Sequence, residues 1–321
     1  MTRDDVGHGS NAALWAALVT VYVVWGSTYL AIRVVVEAGI PPLLGMGTRF
    51  LAAAIILLGF LAGRGGLRSL KVTWPELGAA AIVGTLLLLG GNGLVAVAEQ
   101  TVPSGLAALI VGAVPLWFVL LRVAGGERPR KLTWLGVLVG FAGIAAISLP
   151  RGGIDGVEAW GVVVVLAATV CWAFGSYLSP RLQLPRGAML ATGYEMLTGG
   201  AVMTAVGLAV GEPPDLNAAA VPAEGWLALS YLVLIGSIVG YTAYIYALDH
   251  APLSVVGTYA YVNPVVAVVL GALILAEPVT AVVLGGGLLV VVGVGLVLRG
   301  ERAPAAVEDL GPRLAEPARS G

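Results

Sequence analysis

Two ionisable side chains stand inside apolar stretches of bilayer length, Arg49 and Glu195. A charge there is costly, so such residues mark paths for solutes or protons. Arg49 lies about seven residues past Pro42, which at about 1.5 Å per residue puts it roughly 10 Å below one boundary. Glu195 lies a similar distance from the opposite boundary, so the two are expected in opposite leaflets and not as a direct ion pair. Arg49 is expected to reach Glu99 or helix-end carbonyls. Glu195 is expected to meet Arg181 or Arg186, or to stay protonated when desolvated. Glu99 and Asp249 stand at opposite helix ends, which suggests one polar cluster near each mouth of a path. Against this, Arg49 has a purely structural reading as a tether of its helix, and Glu195 as a side chain reaching the interface.

Other residue types fit the lining of a cavity. Pro115 and Pro264 are expected to interrupt their helices near mid-membrane, where proline removes a donor and frees a carbonyl that can line a cavity, or simply to kink the packing. Asn92 and Asn263 bring amides to similar depth. Trp25, Tyr29, Trp117, Trp172, Tyr177, Tyr241, Tyr244, Tyr259 and Tyr261 offer aromatic faces suited to aromatic, cationic or amphipathic solutes. Trp25 and Trp172 are placed deep, whereas Trp74, Trp134, Trp160 and Trp226 fall at helix ends and read as interface anchors. Ser27, Thr28 and Ser176 can donate to a solute, or to their own helix backbone, the commoner state.

The chain has 321 residues, of which 59% are hydrophobic and 11% charged. A soluble domain averages about 25% charged residues, so this chain's environment is lipid. A net charge of −1 leaves no basic stripe for nucleic acid. The only cysteine, Cys171, excludes an intrachain disulfide, and with His8 and His250 as the only histidines no Cys/His metal site is available. No Walker A sequence is present, and no cofactor is expected. The polar N-terminus lacks the basic region of a signal peptide, so the first apolar run is expected to be retained.

A spanning helix needs about 20 apolar residues, and ten runs qualify: 12–35, 42–62, 76–98, 103–123, 132–149, 159–179, 188–210, 226–248, 252–275 and 280–298. The fold class expected is all-α integral membrane. With the N-terminus in the cytoplasm, fourteen Lys and Arg fall inside and only Arg33 and Arg151 outside, leaving Arg49 within the bilayer. That bias supports an even number of spans and two cytoplasmic termini. The chain also repeats. Trp25 matches Trp172 at an offset of 147, Pro103 and Pro115 match Pro252 and Pro264 at 149, and Gly136 and Gly143 match Gly286 and Gly293 at 150. An E-P element, Glu127-Arg128-Pro129 and Glu277-Pro278, follows in each half. Five helices per half force the second half to be inverted. The parts expected are a cytoplasmic segment 1–11, repeats 12–149 and 159–298, and a disordered cytoplasmic tail 299–321.

WGSTYLAIR from Trp25 to Arg33, P-P-x(6)-R-F from Pro41 to Phe50, VPSGLAALIVGAVP and APLSVVGTYAYVNPVVAVVLGALILAEP together resemble the drug/metabolite transporter superfamily, in its ten-helix EamA-type branch. The resemblance covers about residues 12–298. It implies two inverted five-helix repeats, a central cavity, alternating access and residence in a bacterial inner membrane, with export of amino-acid-like metabolites or drugs. The expected partners are the lipid bilayer, a small-molecule substrate and a proton or solute gradient, with a homodimer left open. An integral-membrane enzyme and a pore or scaffold are the competing readings. The enzyme would need clustered catalytic groups, and the pore would not need the repeat.

Overall fold

A computed structural model describes residues 3–126, 128–148, 159–213, 219–251 and 253–302. Glu127, Arg151, Pro252, residues 214–218 of the 211–225 loop and the segment 303–321 lie outside the described residues, as do the side chains of Tyr261 and of residues 3–11. The described residues form helices and no strands. They are α1 (Arg3–Glu37), α2 (Pro42–Gly65), α3 (Trp74–Ala98), α4 (Ser104–Ala124), α5 (Lys131–Ser148), α6 (Ala159–Leu178), α7 (Ala188–Ala209), α8 (Ala223–His250), α9 (Tyr259–Ile274) and α10 (Ala281–Arg302). Seven stretches are long and apolar enough to cross a membrane: those in α1, α2, α3, α4, α8 and α10, and Ala159–Arg181, which contains α6. α5 and α9 are shorter apolar helices. α7 spans 22 residues but carries Glu195 and several Gly and Thr, which lower its hydropathy. Two ends differ from expectation, because α1 is already helical at Arg3 and α10 continues to Arg302.

Burial is inverted, as a lipid surrounding requires. Ile55, Leu138, Val163, Leu273 and Leu288 point outward with 63% or more of their surface exposed. A soluble protein seldom displays apolar patches of such extent. Arg49, Glu99 and Glu195 are buried instead.

The helices pack in exchanged pairs. α2 lies against α7, and α5 against α10. α1 packs on α9 as α6 packs on α4, and α3 packs on α7 as α8 packs on α2. Each half also carries a π-helical stretch, Thr85–Gly93 within α3 and Leu232–Val239 within α8. Such wide turns redirect side chains and carbonyls and concentrate at functional sites.

Proline acts differently in the two halves. α4 turns at Gly112–Ala113, directly before Pro115. Pro264 was expected to interrupt its helix, but it lies within the continuous α9, and the turn falls at Gly257–Thr258. Membrane helices tolerate an internal proline where neighbours and wide turns satisfy the freed carbonyl.

Carboxylates from distant loops close two helix N-termini, where backbone N–H groups lack intrahelical partners. Glu212 accepts from the amides of Leu43 (2.9 Å) and Leu44 (2.7 Å) at the start of α2. Glu277 accepts from the Ser104 amide (2.7 Å), the Ser104 hydroxyl (2.8 Å) and the Gly105 amide (3.0 Å) at the start of α4. Ala276, left-handed at φ 52°, turns the chain to deliver Glu277.

Backbones touch where α3 crosses α7 and where α5 crosses α10. A Cβ on Gly84 would sit 2.4 Å from the Glu195 carbonyl oxygen, and one on Gly293 would sit 2.4 Å from the Gly140 nitrogen. Small residues permit such approach in lipid. Gly59 has nothing within 4 Å of its missing Cβ. Thermal unfolding in detergent is expected to show Gly84→Ala and Gly293→Ala each destabilised by about 1–3 kcal/mol, with Gly59→Ala unchanged or slightly more stable. Equal behaviour of all three would contradict these crossings.

Candidate functional site

The site begins on α1. Trp25, Thr28, Tyr29 and Ile32 recur at helical spacing and so share one face, which forms a wall of a central cavity. Arg49 enters from α2, Asn92 from the π-helical stretch of α3, Trp172 from α6, Tyr241 from α8 and Tyr259 from α9. The cavity is nearly filled by these side chains, with only about 40 Å³ of open volume.

Aromatic rings form its floor. The Trp25 ring lies 5.2 Å from that of Trp172 at 86°, and 5.0 Å from Tyr241 and 4.7 Å from Tyr244. Trp25 Nε1 donates to the Gly236 carbonyl (3.2 Å), which belongs to the π-helical stretch of α8. Trp172 Nε1 donates to the Tyr244 hydroxyl (3.2 Å), which also shares a hydrogen bond with Ser176 Oγ (2.8 Å). Edge-on and tilted contacts of this kind suit aromatic quadrupoles, at about 0.5–1.5 kcal/mol per pair.

The polar end is built around Arg49, which is 1% exposed. Its Nε donates to Ser237 Oγ (2.8 Å), and its Nη1 stands 3.5 Å from Asn92 Oδ1 and from the Met46 sulfur. The guanidinium also lies 4.5 Å from the Phe50 ring centroid. Asn92 Nδ2 in turn donates to the Tyr241 hydroxyl (2.6 Å). Glu99, the partner anticipated for Arg49, is not among these contacts. All of them are neutral, and burying an ion without a counter-ion costs several kcal/mol.

Of the residues singled out in the sequence, Trp25, Thr28, Tyr29, Arg49, Asn92, Trp172, Tyr241 and Tyr259 converge on this cavity. The others lie beside it. Ser27 bonds to Tyr231 (2.6 Å) and to the Val24 carbonyl (2.7 Å). Ser176 bonds to the Trp172 carbonyl as well as to Tyr244, and Thr28 to the Trp25 carbonyl. Trp117 does not line the cavity, but it donates to Oγ1 of Thr169 (2.8 Å), which does, and packs on Phe141. Asn263 is 2% exposed, and its amide nitrogen, oriented as its surroundings require, donates to the Tyr22 (3.0 Å) and Tyr259 (3.3 Å) carbonyls. Pro115 and Pro264 shape α4 and α9 without lining the cavity. Tyr244, also among the expected aromatics, packs on Trp25 and Trp172 beside the cavity. Ser237 is the contribution least visible beforehand, significant only through the geometry of α8.

The three acidic candidates separate. Glu195 is 2% exposed at the α3–α7 crossing, and its Oε1 has no hydrogen-bond partner among the described residues. It does not meet Arg181, which bonds to the Tyr177 carbonyl and lies over the Tyr177 ring. Nor does it form an ion pair with Arg49. Asp249 is exposed, 3.7 Å from His250 Nδ1, on the rim of a second pocket of about 370 Å³ at the far ends of α6 and α8. Glu99 is fully buried just beyond the end of α3, with both carboxyl oxygens unpartnered among the described residues. Arg33 donates to its backbone carbonyl rather than to its side chain, while pairing with Glu37 at 2.5 Å. The two helix-end carboxylates therefore do not form matching clusters: one is buried, the other solvated.

A cavity enclosed by helices from both ends of the chain, within an assembly that faces lipid, defines a multi-pass membrane transporter. The model of the EamA-like transporter family matches residues 11–149 and 159–299, and the chain belongs to that family. It is 45% identical to the uncharacterized inner membrane transporter YedA of Escherichia coli K12, over 80% of this chain and 81% of that one. It is 31% identical to a probable terminal-alkyne amino-acid exporter of Streptantibioticus cattleyicolor, over 90% and 94%. A crystal structure of a protein with 20% identity shares the fold with a TM-score of 0.64, covering 92% of this chain and 99% of that one.

Burial, reinforced by the Glu277 carboxylate and to a lesser degree by Glu37, pushes the Glu99 carboxyl well above its ordinary value of 4.5, against the opposing charge of Arg33. The half-buried Tyr29 phenol lies near the same group. The folded chain thus keeps a proton that the unfolded chain loses. This contribution is full below pH 4.5 and declines as pH rises toward the folded value. Thermal midpoints across that range are expected to fall more steeply for the wild type than for Glu99→Gln, and parallel slopes would refute this account.

Proposed function

We propose that the protein is a secondary transporter of a bacterial inner membrane that exports small amphipathic metabolites by alternating access. In this reading α1 to α10 all cross the bilayer, as two inverted five-helix repeats with both termini in the cytoplasm. The exchanged helix pairs and the twin π-helical stretches support that symmetry, and the Lys and Arg distribution supports the orientation. The similarity to an inner membrane transporter and to an amino-acid exporter supports the location and an amino-acid-like cargo. With no Walker A sequence in the chain, a proton or solute gradient is the drive. The family points to transport rather than catalysis.

One observation carries the alternating-access reading. Along α6 the order is Thr169 and Trp172 on the cavity, Ser176 on Tyr244, then Ser179 on the second pocket. Along α8 it is Tyr241 on the cavity, Tyr244, then Ile245 and Leu248 on the second pocket. The Trp172–Tyr244–Ser176 contacts therefore separate two spaces that a moving solute would visit in turn. Parting them while the outer side closes is the rocking expected of inverted repeats.

Proteoliposomes loaded with a mixture of amino acids and related metabolites are expected to accelerate uptake of the labelled congener of the transported class. Trp172→Ala is expected to cut that exchange about tenfold or more through loss of aromatic contact. Linear flux without counterflow would favour a pore instead.

A further inference from the structure

Resting on the carrier reading, we infer that the transported solute is an amphipathic monocarboxylate whose carboxylate docks on Arg49, and that an amino group on it is not required. Arg49 is a permanently charged side chain with almost no exposed surface. Its contacts are a serine hydroxyl, an asparagine carbonyl and a thioether at 3.5 Å, and a phenyl ring. No carboxylate of the described residues is among them. A lone buried cation that serves only to fasten helices is a poor fastening, since an apolar residue of similar volume holds them without the desolvation cost. The same cation becomes useful if its counter-ion arrives with the cargo.

The wall around it narrows the class. One guanidinium balances one negative charge, which fits a carboxylate better than a phosphate carrying about two. Nη2 makes no hydrogen bond to a described residue and lies near Gly236, where a Cβ would be 3.2 Å away. It is therefore available as a second donor beside Nη1 for bidentate capture. Most of the rest of the lining is Trp25, Tyr29, Trp172, Tyr241 and Tyr259 with aliphatic neighbours, which suits an aryl or alkyl body, while Thr28, Asn92 and Thr169 add a few neutral polar groups. No Asp or Glu lines the cavity, so an ammonium finds no counter-charge there, only aromatic faces and neutral oxygens, a weaker and non-obligatory attraction. Discrimination rests on the acid end of the solute.

The test uses full-length protein in detergent with three isosteric probes: phenylacetate, phenylacetamide and 2-phenylethylamine. Phenylacetate is expected to raise the thermal midpoint at millimolar concentration and to bind about tenfold tighter than the amide or the amine. Arg49→Gln is expected to lose that shift while unfolding at an equal or higher temperature than the wild type, because an uncompensated charge has been removed. A purely fastening arginine would give a lower midpoint. Should Arg49→Gln not be recovered folded, Arg49→Lys, which keeps the charge, is expected to retain a smaller shift with phenylacetate alone. Equal shifts from all three probes, no shift from phenylacetate, or a shift that survives Arg49→Gln would each overturn the assignment. Counterflow separates the two levels. Acid binding through Arg49 without exchange of any carboxylate would leave the anchor and remove the carrier reading. Exchange of amides or amines at wild-type rate by Arg49→Gln would leave the carrier and remove the anchor.

Discussion

Everything in this structure depends on how closely its helices can approach without water to drive them together. Lipid is as apolar as leucine, so association must come from packing and hydrogen bonding between helices. The backbones meet at Gly84 against Glu195 and at Gly293 against Gly140. Those crossings hold α7 against α3 and α10 against α5. The first pair, with α2 packed on α7, frames the wall from which Arg49 and Asn92 reach inward. The second pair stands apart, within a separate apolar cluster around Ile144, Val290 and Val294. The molecule thus contains a polar-lined working half of the section and an apolar packed one.

Much of the site was legible because its residues are rare in such a chain. Arg49 is the only basic residue well inside a spanning run rather than near its end, and Trp25 and Trp172 repeat at an offset of 147 in a composition where Trp is far rarer than Gly. Their meeting at 5.2 Å follows from both being deep and repeat-related. What could not be read depends on helix winding. A π-helical stretch has no residue signature here, so nothing marked Ser237 as the partner of Arg49 or Gly236 as the acceptor for Trp25. Glu99 was read as an electrostatic partner because it is acidic and near a helix end, but its oxygens are buried without a hydrogen-bond partner among the described residues. Pro264 was read as a break, yet one turn of helix precedes it intact.

The charges follow a common logic. Where a carboxylate is well satisfied, it serves backbone amides, as Glu212 and Glu277 do at the starts of α2 and α4. These contacts tie loops at one end of the chain to helices at the other and fix where the helices begin. Where an ionisable group is poorly satisfied, as with Arg49, Glu99 and Glu195, it is buried beside the cavity or at a crossing. The first kind lends rigidity; the second kind leaves the interior responsive to what enters it.

The twin wide turns in α3 and α8 have a consequence for how sequences of this kind should be compared. Beyond such a turn the helix resumes with its faces rotated relative to the segment before it. Asn92 and Tyr241 meet because each stands at or just past one of these turns. A relative lacking a single residue there would align over both flanks and still present a different set of side chains inward. Residue-by-residue transfer of specificity across that point is therefore a question of phase, and overall similarity does not answer it.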